Sequence, residues 1–476
     1  MFLAQLRVTL RIAMMASVIT RSRPPWSSSV CEMCLSHVTA SRRPAPGSLR
    51  FLSVTTRTAR PVDSKRASYQ RPASHTNLSR APGRLQRYNS TQIAPPASGH
   101  PFLARAPPPA PSAAGCARLS HRRLIALSGP DTPKFLQGLV TNSVDPSREV
   151  PFYAAFLDAR GRMLWDVFIW SYPGLKEQMG MAGGDWACLV EVDAGEVDAL
   201  AKHLKRHKLR SKIVIKIVEE TSDSEDGKEG VQVWASWGED ASLSESHQSL
   251  ATIPDPRFIG DKIAMRRSLV RPLDTTSPTE SAPLEEYHRL RHTYGIPEGQ
   301  AEIPREAALP MEYNVDLAQG IDFKKGCYLG QELTIRTKHT GVVRKRILPV
   351  ELSTADAPHR EPDTHSQIPT YAGDVWKLDP ARFDSADIKQ VGEDGGIKKG
   401  RAVGKLVSVC GNVGLALCRL EMMTSMKVSA EGGTWMPGME FAVADREGRV
   451  VNVRPFLQDE WVTRVRDIWD KKRTRI

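Results

Sequence analysis

The chain has 476 residues, with 66 Lys+Arg against 54 Asp+Glu, and a formal net charge of +12. Residues 1–115 hold 16 basic side chains against two acidic ones, Glu32 and Asp63, which leaves 50 basic and 52 acidic groups in 116–476. A near-neutral body excludes a globally basic, nucleic-acid-coating domain, and it is long enough for two or three domains around a sizeable core.

The first 115 residues read as an address. MFLAQLRVTLRIAMMASVIT places Arg7 and Arg11 on one helical face, with Leu3, Leu6, Leu10 and Met14 on another. An amphipathic, Arg-bearing, acid-poor start predicts a mitochondrial transit peptide and a matrix destination. The rival is a secretory signal on the apolar run Ile12–Ile19; Arg7 and Arg11 crowd that run, and Arg21 and Arg23 follow it. Arg87-Tyr88 is a weak processing position, and Ala106–Gly115 reads as a Pro-rich linker. The segment is expected to be disordered and removed. No run of ~18 or more apolar residues occurs, so no membrane span is expected.

In the body, Arg123–Ser128 alternates as a strand, and Gly129-Pro130-Asp131 turns the chain into a helix. Tyr153–Trp170 reads as two strands around the hairpin loop Asp158–Gly161. A strand over Ala187–Asp193, a helix in EVDALAKHLKRHKLRS and the strand KIVIKIV follow. That order predicts an α+β fold, not a doubly wound parallel sheet. Residues 219–229 pack six acids into eleven positions, as a solvated loop would. LEEYHRLRHTYG is a helix. After Lys324 the chain reads as basic and β-rich, interrupted by a polar insert over 353–396, and its Gly-punctuated strands suggest a small barrel. The tail is a short helix with Trp461, Val465 and Ile468 on one side.

The densest chemistry is Lys324-Lys325-Gly326-Cys327-Tyr328-Leu329-Gly330-Gln331-Glu332. Cations beside a thiol favour the thiolate, the form that binds iron. Flanking glycines permit a tight loop that presents the sulfur, and Gln331 and Glu332 could orient a ligand. The bland alternative is a buried structural cysteine. Arg336, Lys338, His339, Arg344, Lys345 and Arg346 continue as a basic stretch, read as a solvated strand edge or an anion-binding patch. Seven cysteines, odd in number and widely spread, are not a disulfide framework. The one close pair, Cys31 and Cys34, lies in the segment expected to be lost. The body has no CxxC with which to build a four-thiolate site.

KGCYLGQE resembles the signature of the YgfZ/GcvT-like family, in particular its mitochondrial iron–sulfur cluster assembly factors, which are related to folate-dependent aminomethyltransferases. LSGPDTPKFLQGLVTN, FLDARGRMLWDVF, GIPEGQAEIP, LPMEYN, RTKHTGVVRKR and GLALCRLE extend the resemblance over most of the body. It implies a three-domain ring over 116–340 and 341–456, with a folate-type cavity and a C-terminal β-barrel, followed by a helical tail over 457–476. It also implies a role in maturing [4Fe–4S] proteins. Cys327 would share a transient cluster with an A-type carrier and pass it toward client apoproteins. Lys325, Gly326, Tyr328, Gly330, Gln331, Glu332 and Arg336 would frame the site. Asp166 falls where the aminomethyltransferases place the acid that works on tetrahydrofolate; its plain alternative is a strand-end Asp facing solvent. Those enzymes lack the cysteine motif, so their reaction is not inherited and no ordinary enzymatic activity is expected. Folate-dependent one-carbon transfer is the competing function. An RNA-modification role, drawn from bacterial relatives, is the weakest, since the basic stretch lacks interleaved aromatics.

Overall fold

The structure is a computed structural model that describes residues 113–172, 174–175, 186–218, 230–239, 247–260, 263–272, 281–354, 367–372 and 386–469. Residues 1–112 of the expected transit segment and linker, the acidic stretch 219–229 and much of the polar insert lie outside the described residues.

Two antiparallel sheets and a barrel make up the body. The first sheet has the order β3 (Phe152–Leu157), β4 (Met163–Trp170), β5 (Ala187–Asp193), β2 (Arg122–Ser128), β6 (Val214–Ile217). The second runs β1 (Gly115–Arg118), β7 (Gln232–Trp237), β9 (Arg266–Pro272), β8 (His247–Pro254). β3 and β4 are buried along their whole length because both faces of their sheet are covered. Trp165, Val167 and Ile169 enter a core shared with α1 (Thr132–Gln137) and α2 (Val197–Lys208), while Phe168 and Trp170 enter the core facing the second sheet. The period-2 alternation of a strand divides its side chains between the two layers.

α3 (Leu284–Tyr294) ends on Gly295 in the left-handed region and leads through a long loop stretch to α4 (Gln331–Thr340). The expectation of β structure here is corrected. Thr334, Ile335 and Thr337 favour strands by composition, but the helix is set by its ends. Gly330 turns into it at φ +80, Glu332 sits in the first turn, and Lys338 and His339 sit in the last. Gly341, at φ +76, donates its N–H to Thr337 O. Local capping outweighs β-propensity.

The barrel closes in the order β10 (Lys345–Thr354), β13 (Val413–Arg419), β12 (Gly404–Cys410), β11 (Asp387–Gln390), β14 (Phe441–Ala444), β15 (Val450–Pro455). A short helix, α5 (Leu420–Met423), follows β13. The final helix α6 (Asp459–Trp469) buries Trp461 and Val465 against the barrel core, as the tail pattern predicted. Every strand pairing named here is antiparallel.

Candidate functional site

Cys327 is exposed, and it is the one exposed cysteine among the described residues; Cys116, Cys188 and Cys418 are buried and Cys410 is half-buried. Burial pushes the Cys188 and Cys418 thiols up, which keeps them protonated. The bland reading of Cys327 as a packed structural cysteine is thus set aside by its exposure.

The loop that carries Cys327 is held from both sides. Lys325 donates its three ammonium protons to the carbonyl oxygens of Gln137 (2.9 Å), Val140 (2.6 Å) and Asn142 (2.8 Å), at and beyond the end of α1. Its ammonium also lies 4.8 Å from the Tyr328 ring centroid. Burial pushes Lys325 down to about 8, with Asp322 opposing. Leu329 N–H adds a bond to Gly138 O at 3.0 Å. Tyr328 is buried, and that burial pushes its phenol up to about 12, so it is a neutral wedge beneath the thiol loop. Lys325 is therefore an anchor, with its donors committed to the backbone; Lys324 is the exposed cation of the pair.

The second support is the hairpin loop between β3 and β4. Asp158 Oδ1 accepts the N–H groups of Arg160 (2.9 Å) and Arg162 (2.8 Å), and Gly161 N–H closes the turn on Asp158 O. Burial opposes ionisation of Asp158, but these donors hold its carboxyl below the ordinary value. Gly161, at φ +79, and Gly330, at φ +80, pack backbone on backbone. Gly326 has nothing within 4 Å of where a Cβ would stand, so of the two motif glycines only Gly330 is demanded by close approach. Gln331 is half-buried, with its Oε1 3.4 Å from Tyr328 N–H; Glu332 and Arg336 are exposed on α4.

Asp166 belongs elsewhere. It is buried at mid-strand, opposite Ala155, which corrects the picture of a solvent-facing strand end. Its carboxylate lies 3.3 Å from Arg122 Nη1 and accepts Gly299 N–H at 3.1 Å. The same face carries Glu191, which binds Arg122 and Arg267. Burial works against the Glu191 carboxylate, but Arg267 and Arg122 hold it below its ordinary value. Across from it, Glu298 accepts from Arg257 (2.7 Å) and Tyr287 (2.9 Å). This is a buried ionic layer between the two sheets, in which each acid faces an arginine. The neighbouring cavity, lined by Tyr153, Arg257, Tyr294, Tyr313 and Trp461 among others, has a volume of about 20 Å³. That is room for about one water; small-molecule sites run to roughly 300–1,000 Å³. Tetrahydrofolate does not fit this cavity, and Asp166 is not among its lining residues.

The downstream basic stretch is not one surface. Arg336, Lys338 and His339 lie on α4. Arg346 is buried and forms a two-pronged bond with Asp316 at 2.9 and 2.8 Å. Lys345 pairs with Glu312 at 2.9 Å. What sequence reasoning missed was the ionic layer and the Lys325 anchor. The signal for the first was present in single charges inside apolar strands, at Asp166, Glu191 and Arg267. Nothing local signals the second, whose acceptors lie some 185 positions away.

Residues 344–437 match the family described as the CAF17 C-terminal beta-barrel domain. The chain is similar to the mitochondrial iron–sulfur cluster assembly factor IBA57 homolog of Phaeosphaeria nodorum. The two are 47% identical over 361 residues, covering 75% of this chain and 83% of that one. It is 43% identical over 350 residues to the protein of the same name from Coccidioides immitis, covering 71% and 79%. Among solved structures, the glycine cleavage system aminomethyltransferase T from Bartonella henselae is similar with a TM-score of 0.45. The sequence identity there is 13%, over 74% of this chain and 87% of that one.

Proposed function

Because this chain belongs to the IBA57 family of mitochondrial iron–sulfur cluster assembly factors, we propose that it shares or transfers a cluster through Cys327 with an A-type carrier. The work takes place in the mitochondrial matrix and serves the maturation of [4Fe–4S] apoproteins. The cluster is cargo.

The observation that carries this reading is a single exposed thiol on a loop pinned by Lys325 and by the Gly161–Gly330 contact. A cluster of this kind takes about four protein ligands. Among the described residues no group of three or more His, Cys, Asp or Glu could hold a metal. Cys327 thus supplies one ligand and the partner supplies the others. In the exchange an Fe–S bond forms at Cys327 Sγ as one carrier thiolate leaves its iron. Cys327 gives its proton to solvent, the released thiolate takes one up, and no electron moves. Exposed Lys324 stands near an assembly of net negative charge.

The test is anaerobic mixing of the mature chain with a cluster-loaded A-type carrier, followed by visible absorption and size exclusion. A heterodimer that carries the cluster should form, and its cluster absorption should be lost in Cys327→Ala. Undiminished reconstitution of an aconitase-like client by Cys327→Ala would overturn the mechanism. Folate-dependent aminomethyl transfer draws no support from the cavity beside the ionic layer, which has a volume of about 20 Å³.

A further inference from the structure

A dense run of surface cations lies in a stretch the proposed function does not use. Lys202–Lys216 carries seven Lys/Arg residues in fifteen positions and no acid. Lys202, Lys205 and Arg206 are exposed on α2 at i, i+3 and i+4, opposite the face that buries Leu200 and Leu204. Arg210, Lys212 and Lys216 continue the ridge and are exposed as well. Among the described residues none of these six makes a salt bridge. Cations in the last turn of a helix offset its dipole, but that effect fades within one turn. It leaves Lys202, Arg210, Lys212 and Lys216 without a structural reason.

The ridge borders a groove of about 670 Å³ lined by Asp131, Lys134, Phe135, Leu209, Arg210 and Ser211. Its one acid, Asp131, accepts Lys212 backbone N–H at 2.6 Å and keeps its charge, which Lys134 and Arg210 outweigh. The groove therefore offers positive charge around an apolar wall. Leu209 is 87% exposed and sits at φ +46. Leucine is disfavoured at positive φ, and its exposed side chain adds apolar surface beside Phe135 in the groove.

We propose that this ridge and groove dock an acidic segment, bearing an apolar side chain for the Phe135–Leu209 wall, of the protein that shares the cluster at Cys327. The identity of that protein rests on the function proposed above. α1 links the two sites. Lys134 and Phe135 line the groove, while Gln137 O, at the last residue of the same helix, accepts from Lys325. Six residues of helix span about 9 Å, and an ordinary interface covers roughly 800 Å² on each partner. A partner of that size seated at the thiol loop is wide enough to extend past α1. The groove's apolar wall pairs one half-buried aromatic, Phe135, with Leu209, which suits an apolar peptide anchor better than a row of stacked bases.

The experiment measures binding of a labelled apo A-type carrier to the full mature chain, at low and at high salt, by fluorescence anisotropy. The charge-reversed chain, K205E/R206E/R210E, should bind roughly tenfold more weakly at low salt and lose most of its salt dependence. Leu209→Ser should weaken binding several-fold, as expected for one lost apolar anchor, while keeping the salt slope. Cys327→Ser should dock the apo carrier like the unmodified chain while failing to share a cluster. All substituted side chains are exposed, and circular dichroism checks that each variant folds.

Unchanged binding in both the charge-reversed chain and Leu209→Ser would overturn the docking surface and leave cluster sharing at Cys327 standing. Loss of cluster sharing by no variant, Cys327→Ser included, would sink the underlying function instead. A short single-stranded RNA that binds more tightly than the carrier, and is released by the charge reversal, would make this a nucleic-acid surface and overturn the proposal.

Discussion

Gly161 and Gly330 meet backbone to backbone: a Cβ on Gly161 would stand 2.8 Å from the carbonyl oxygen of Gly330, and one on Gly330 would stand 2.2 Å from that of Asp158. Both residues are also at positive φ, so a side chain at either is opposed by conformation as well as by space. Gly330→Ala should destabilise the chain by about 2 kcal/mol or more and displace the thiol loop. Gly326→Ala, facing open space, should be nearly neutral. Denaturation midpoints compared with cluster-sharing yield will check this; equal effects of the two substitutions would refute the backbone contact as the cause.

Cys327 should be the fast-reacting thiol of the native body. Cys188 and Cys418 are buried and held protonated by that burial, so they react only on opening. Thiol titration of the folded chain should lose one rapid equivalent in Cys327→Ser and none in Cys188→Ser.

Lys325→Met removes three hydrogen bonds and leaves the carbonyls of Gln137, Val140 and Asn142 without that donor. A cost of about 2–3 kcal/mol is expected. Lys325→Arg should not restore the loop, because a planar fork cannot reproduce three converging ammonium bonds. The pH dependence has a definite sign. Burial lowers the folded value of Lys325 to about 8 from an ordinary 10.5. Between those values the unfolded chain holds a proton that the folded chain has released, so this group's contribution rises with pH across the window. Urea midpoints of the unmodified chain relative to Lys325→Met should increase from pH 8 to 10.5. A flat difference would contradict it.

Glu302, whose partner Arg291 also reaches Glu298 at 3.8 Å, should respond to pH with the same sign in a lower window. Burial disfavours the Glu302 carboxylate, but Arg291, 2.8 Å away, and His292 hold it down at about 2. Its stabilisation is fully present above the ordinary value of 4.5 and is lost as pH falls through about 2. Glu302→Gln should flatten the stability profile in that window, at the cost of lower stability at neutral pH.

Asp166→Ala should behave as a structural lesion. It deprives buried Arg122 of one of two carboxylate partners, the other being Glu191, at a cost approaching the roughly 3–5 kcal/mol of a broken buried pair. Cluster sharing measured well below the melting range should persist per folded molecule. Selective loss of activity in a fully folded variant would restore a chemical role to Asp166.

Several features were legible without coordinates. The Gly-punctuated strands after the insert do close into a barrel, and the tail does bury Trp461 and Val465, because alternation and helical spacing are local properties. The two motif glycines read alike along the chain, as permitting a tight loop, but Gly330 meets backbone whereas Gly326 faces open space. The helix over Gln331–Thr340 was misread, since β-branched residues carried the expectation and the two capping glycines carried the outcome. Asp166 was misplaced for a related reason. An aspartate in an apolar strand reads alike whether it faces water or a buried arginine, and Arg122 lies 44 positions away.

The sequence by itself determined that the positive charge is concentrated in the first 115 residues, that one Lys-flanked cysteine is the candidate reactive thiol, and that the body is built from antiparallel strands and short helices. These follow from composition, spacing and periodicity, which are properties of neighbours along the chain. Tertiary structure alone decided that Lys325 is an anchor and not a companion cation, that Asp166 closes an ionic layer, that the cavity beside that layer is too small for a folate, and that a basic ridge and a groove share α1 with the thiol loop. Each depends on groups distant in sequence brought within a few ångströms, where hydrogen bonding, desolvation and excluded volume set what a residue can do.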